Sequence, residues 1–350
     1  MRHLVHFVAT AIVMGIQATA CTPADGPRPT RPAAIAEPPE LTWPRPPEQA
    51  RIRFVKAVAR PQDLGIQPSF WRRVGRFITG KGEERFVRPT GVAVNGPVIY
   101  VADPGGQALW ILDARAGTAR AIHEVDGQHL VSPVAVAVGR KDSVYLADSS
   151  VGRVFVLDSS GRSLGSIASP DLRSPAGLAY NGDRDRLYVA DSAAHGVWVF
   201  TGDGKPLQKI GRRGIGEGEF NFPSHVAVDR HGALYVTDAL NFRLQIFNSD
   251  ESFAGLFGEH GDSSGQFAMP KGVAIDSAGH IYVAEALFDA VQIFDSEGRH
   301  LLTFGERGVQ PGQFWLPGGL FIDSRDRIYV ADAYNRRIQI FEYLGGPGDG

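Results

Sequence analysis

The chain has 350 residues, 43% hydrophobic and 21% charged, with a net charge of −2, 42 glycines and 23 prolines. The composition is that of a globular, turn-dense all-β chain, and the near-neutral balance argues against nucleic acid as the main partner, because phosphate binding needs a basic face. The single cysteine, Cys21, excludes an intrachain disulfide and a thiolate metal cluster.

Residues 1–20 read as a signal peptide. Arg2 and His3 are followed by the apolar run LVHFVATAIVMGI, too short for an ordinary transmembrane helix, and then by Ala18-Thr19-Ala20 directly before Cys21. With Cys at the first mature position, the segment resembles a bacterial lipoprotein signal, although Ala18 stands where such signals usually carry Leu. The expectation is lipidation of Cys21 and attachment to the cell envelope, at the periplasmic or the outer surface. Without lipidation, cleavage after Ala20 leaves a secreted protein with a free thiol.

Nine prolines between Cys21 and Pro47 favour extended polyproline II over a packed core, so residues 21–50 are expected to form a semi-rigid tether. Arg51–Ala59 reads as a β-strand with no partner nearby. Phe70, Trp71, Val74, Phe77 and Ile78 recur with helical spacing opposite Arg72, Arg73 and Arg76, which predicts one short helix near 69–79. That helix is expected to pack on its own domain; contact with a membrane surface is the other reading.

From residue 86 a repeat takes over. Turn prolines recur at Pro89, Pro133, Pro175, Pro223, Pro270 and Pro317, and a strand tyrosine at Tyr100, Tyr145, Tyr188, Tyr235, Tyr282 and Tyr329. Three residues after each tyrosine stands an acid: Asp103, Asp148, Asp191, Asp238, Glu285 and Asp332, at spacings of 45, 43, 47, 47 and 47 residues. A period of this length, built of short strands and polar turns, predicts an all-β, six-bladed β-propeller with four-stranded antiparallel blades. The last unit supplies three strands before the chain ends, so the strand at 51–59 is expected to complete it. This 3+1 closure would join the termini and remove an exposed sheet edge. The propeller then spans 51–343, with 344–350 a disordered tail.

The units at 223–248 (PSHVAVDRHGALYVTDALNFRLQIFN) and 270–295 (PKGVAIDSAGHIYVAEALFDAVQIFD) resemble NHL repeats. So do the unit at 314–342 and the loops GRRGIGEGEFNFP, GEHGDSSGQFAMP and GERGVQPGQFWLP, with their spaced glycines and a Phe three residues before Pro. The resemblance covers 86–342 and implies a six-bladed propeller. It does not fix an activity, since NHL-like propellers include binding modules, RNA-binding domains and a lyase class.

Columns separate blade structure from candidate function. The acids, with Arg153, Arg243 and Arg337 five residues after three of them, are expected to brace turns. The second residue after each turn proline is Gly91, Ala135, Gly177, His225, Gly272 or Gly319, small wherever backbones crowd the channel, and His225 breaks that rule. His195, Lys271, Glu285, Phe288, Trp315, Tyr334 and Arg336 are expected on the same loop-rich face. Of these, His195, His225, Lys271, Glu285, Trp315, Tyr334 and Arg336 form a candidate ligand site.

No nucleophile motif, phosphate loop or HExxH occurs, so no catalytic residue and no cofactor is assigned. The leading expectation is an exported, membrane-tethered, non-catalytic propeller that binds a protein or small ligand, with no nucleic-acid partner. The alternative is a metal-dependent lyase or hydrolase at the channel mouth around His225. It would hold zinc through His195, His225 and His260, since a catalytic zinc needs about three protein ligands, or else calcium.

Overall fold

The computed structural model describes residues 40–67 and 84–345. The signal segment, Cys21, most of the expected tether, the expected helix at 69–79 and the last five residues lie outside this range. Six antiparallel sheets follow one another in chain order, five with four strands and one with five. They form a six-bladed β-propeller.

Each blade begins with an inner strand: Gly91–Asn95, Pro133–Val138, Pro175–Asn181, Pro223–Val228, Pro270–Ile275 and Pro317–Ile322. These six strands surround the channel. A Cβ at Gly91 would lie 2.7 Å from the Val134 carbonyl oxygen, and one at Gly272 only 2.4 Å from the Leu320 nitrogen. The small-residue column therefore reflects backbone crowding between neighbouring blades. The strand tyrosines are buried, and their hydroxyls end on the opposite face, donating to Asp229, Asp276 and Asp323 in blades 4, 5 and 6.

The 3+1 closure forms as expected. Ile52–Val58 pairs antiparallel with Arg337–Tyr343, Ile52 opposite Tyr343 and Val58 opposite Ile338. Arg53 donates to Glu342 across the seam at 2.6 Å. The fold then adds a strand that the sequence reading assigned to the tether. Thr42–Trp43 pairs with Ile52–Arg53, making this the five-stranded blade, and the Trp43 ring lies 5.8 Å from both Phe304 and Phe341. Two residues set among prolines carry no readable periodicity, but one large aromatic ring buries enough surface to fasten them.

Residues three before each turn proline form a second buried column: Phe86, Leu130, Leu172, Phe220, Phe267 and Phe314. They plug the gaps between successive blades. The inter-blade loops of blades 4–6 fold back on themselves through single parallel bridges, Arg213 with Phe220, His260 with Phe267 and Arg307 with Phe314. Between blades 1 and 2 a short hairpin, Glu124–Val125 with Gln128–His129, takes their place.

Candidate functional site: the loop-rich mouth of the propeller

Inner strands enter the channel from the face that carries the inter-blade loops and the turns after the acid column. The acids hold this face together. Glu285, fully buried, accepts N–H bonds from Met269 (2.6 Å), Ala268 (3.1 Å) and Leu287 (3.2 Å). Burial raises its pKa, and the three amides oppose the rise. Both oxygens are committed to the backbone, so Glu285 does the same work as the aspartates in its column.

Two of the three acid–arginine pairs form. Arg337 donates to Asp332 at 2.8 Å and also to the carbonyls of Val309, Gln310 and Gln313. Arg243 repeats this with Asp238, Ile215, Gly216 and Glu219. Each arginine thus clamps an inter-blade loop to its blade, a longer reach than bracing the local turn. The expected pair in blade 2 does not form: Arg153 donates to Gln128, while Asp148 bonds the amides of Val131, Ser132, Ser150 and Val151. Blade 2 lacks the long glycine-rich loop whose carbonyls the guanidinium would bind.

The candidate residues separate. His225 sits partly buried in the channel wall, its Nδ1 3.1 Å from the Ser224 hydroxyl. Burial, reinforced by the nearby Lys271 charge, pushes its pKa down to about 3, so the imidazole is neutral. Burial also lowers the pKa of Lys271, with Glu285 opposing. His195 has φ 50° in the turn of blade 3, accepts the Phe222 amide hydrogen at Nδ1 (3.3 Å) and packs edge-on to the Phe222 ring at 4.7 Å. His260, in the loop one blade further on, packs on Phe242 at 4.3 Å. Each of these two rings is thus engaged at its own blade junction. Among the described residues no three His, Cys, Asp or Glu side chains are grouped to hold a metal ion, so the set His195, His225 and His260 does not fit zinc.

The turn position of His195 is Gln107, Gly152, Phe242, Asp289 and Arg336 in the other blades, and every one has positive φ. A left-handed residue closes the turn in all six, and its identity is free to vary. Sequence reasoning missed this column because no single residue type marks it.

It also missed the distribution of exposed apolar side chains. Sixteen large ones are exposed among the described residues, and eight flank this mouth. Leu240, Leu287 and Tyr334 stand two residues after their acids; Phe222, Met269, Trp315, Val87 and Val131 stand one or two before the turn prolines. Six of the eight belong to blades 4–6. Trp315 and Tyr334, 41% and 47% exposed, lie with ring centroids 5.6 Å apart. The places directly before the proline and two after the acid carry Ser132, Ser150, Ser174 and Ala193 in blades 2 and 3, while the place of Trp315 carries Val131 and Arg173, both exposed. The signal was present in the sequence, split between two columns.

Comparisons with known proteins agree with this architecture. Residues 179–255 match a six-bladed β-propeller family model and residues 314–341 match the NHL repeat. No curated protein matches the chain by sequence. The fold is similar to that of a protein of unknown function from Bacteroides thetaiotaomicron (15% identity, TM-score 0.60, covering 73% of this chain and 70% of that one). It is also similar to an auxiliary nutrient binding protein of that organism (13%, TM-score 0.58, 74% and 70%) and to a streptogramin B lyase (11%, TM-score 0.55, 74% and 94%). The chain is therefore a six-bladed β-propeller with a matched NHL repeat in its last blade, a fold that binding proteins and enzymes share.

Proposed function

We propose that this protein is an exported, membrane-tethered, non-catalytic binding module that takes its partner, a protein or small ligand, on the loop-rich mouth face. The observation that carries the reading is the concentration of exposed apolar and aromatic side chains around that mouth, Trp315 and Tyr334 foremost. Apolar surface left open in a cluster marks an interaction site. The blade itself does not require aromatic side chains there, since blades 2 and 3 fold with Ser150 and Ala193 in the place of Tyr334 and with Val131 and Arg173 in the place of Trp315.

The signal segment and Cys21 support placement at the envelope, with the proline-rich stretch as spacer. A nutrient binding protein among the structural neighbours is compatible with a binding role, through fold alone. Metal-dependent lyase or hydrolase chemistry gains no support, because His195 and His260 are held at separate blade junctions away from His225.

The test is a pull-down from detergent-solubilised envelope with the full mature chain as bait. Wild type and a Leu301→Ala variant, altered on the outer rim, should retain the same co-purifying partner, and Trp315→Ala/Tyr334→Ala should lose it. Equal recovery by all three would overturn the assignment to the mouth.

A further inference from the structure

The mouth is not uniform. In blades 4–6 the second residue of the turn (Leu240, Leu287, Tyr334) and the residue directly before the proline (Phe222, Met269, Leu316) are apolar or aromatic. In the same sector Asp238, Glu285 and Asp332 are fully buried and bonded to backbone amides. Asp289, 5% exposed, accepts the Leu316 amide hydrogen at 2.6 Å. The exposed Glu217, Glu259, Asp262 and Glu306 stand on the inter-blade loops, Glu259 and Glu306 each bonded by a glutamine side chain.

Two arginines remain beside the aromatic pair. Arg336 is exposed two residues after Tyr334, and Arg88 is exposed directly before Pro89. Neither forms an ion pair among the described residues. At two junctions the left-handed turn residue of one blade reaches the pre-proline residue of the next, His195 with Phe222 and Asp289 with Leu316, while at the junction of blades 4 and 5 Phe242 packs on His260. Arg336 and Arg88 hold the corresponding two sequence positions at the junction of blades 6 and 1.

Resting on the binding role proposed above, we infer that the sector from blade 4 to the 6–1 junction binds an extended acidic segment of a partner protein. Trp315 and Tyr334 take its apolar anchor, and Arg336 and Arg88 take its carboxylates. Exposed Trp, Tyr, Phe, Met and Arg, with the acids of the column itself buried, match the composition of a protein-interface core. Arginine matches a carboxylate geometrically, through two parallel N–H bonds. Repetition by blade supplies footholds at regular steps, which suits a chain laid across them. A small molecule would need an enclosing pocket, and the channel below encloses about 180 Å³, short of the roughly 300–1,000 Å³ typical of such sites.

The experiment pans a phage-displayed random dodecapeptide library on the immobilised full mature chain and measures the enriched peptides by fluorescence anisotropy. The expected peptides carry Asp or Glu beside Trp, Phe or Leu. Trp315→Ala and Arg336→Glu should each weaken them by at least about 10-fold, as loss of an interface hot spot does, with unchanged thermal unfolding. Ala193→Arg, in the polar sector, should bind as wild type does. Basic peptides, no enriched peptide, or tighter binding of a poly-uridine oligomer than of any peptide would overturn the inference. If Ala193→Arg abolishes binding and Trp315→Ala does not, this sector is wrong while the mouth still binds. If no variant matters, the proposed function fails with it.

Discussion

Similar-looking residues in different blades do different work. Arg153 and Arg337 occupy the same column, five residues after an aspartate, yet only Arg337 meets its acid and three loop carbonyls. Asp332 has no solvent exposure, so Arg337→Ala would leave a buried charge without its partner and should cost about 3–5 kcal/mol. Arg153→Ala gives up one hydrogen bond and should cost about 1 kcal/mol. Denaturant unfolding of the two variants checks this, and equal losses would contradict the assigned roles. The acid column was legible because period alone exposes it. Its partners were not, because what an arginine reaches depends on a loop contributed by another part of the chain. His225 shows the same division: the broken column located it in the channel wall, while its neutrality follows from burial that no spacing reveals.

At the level of elements, the propeller divides into halves that the repeat disguises. Blades 4–6 carry Gln245, Gln292 and Gln339 in their third strands. Each accepts from a loop glycine amide and donates to the carbonyl next to that glycine. Blades 1–3 have Trp110, Phe155 and Trp198 there. The glycine-rich loops and the glutamines therefore form one device, present in half the molecule. Closure depends on another element, the pair Thr42–Trp43 and Ile52–Val58. The longer strand was legible from counting, since six blades of four left one place empty. The shorter was not, because its hold comes from Trp43 against Phe304 and Phe341. A chain beginning at residue 40 should unfold in one transition at the midpoint of the mature protein. A chain beginning at residue 60 should lose cooperativity or aggregate, because the third strand of blade 6 becomes an open edge. Calorimetry separates these outcomes, and a stable, monomeric chain from residue 60 would refute closure by the N-terminal strand.

Over the whole molecule, the repeat accounts for the channel, the buried apolar plugs and the loop clamps, and it leaves the outer surface of the mouth unaccounted for. There the apolar residues of blades 4–6, with Arg88 and Arg336 near the 6–1 junction, stand at places that in blades 2 and 3 are mostly small and polar, Ser132, Ser150, Ser174 and Ala193, with Val131 and Arg173 the exceptions. Trp315, Tyr334 and Arg336 were legible as residues the blade does not need; the sector they belong to emerged only when folding brought two distant columns together. The central claim is that this sector touches a partner, and site-specific photo-crosslinking in intact cells tests it most directly. A photoreactive phenylalanine replacing Tyr334 should give a discrete crosslinked protein adduct, with none when the same group replaces Ala193 or, on the outer rim, Leu301. Adducts from Ala193 or Leu301 but none from Tyr334 would contradict the account.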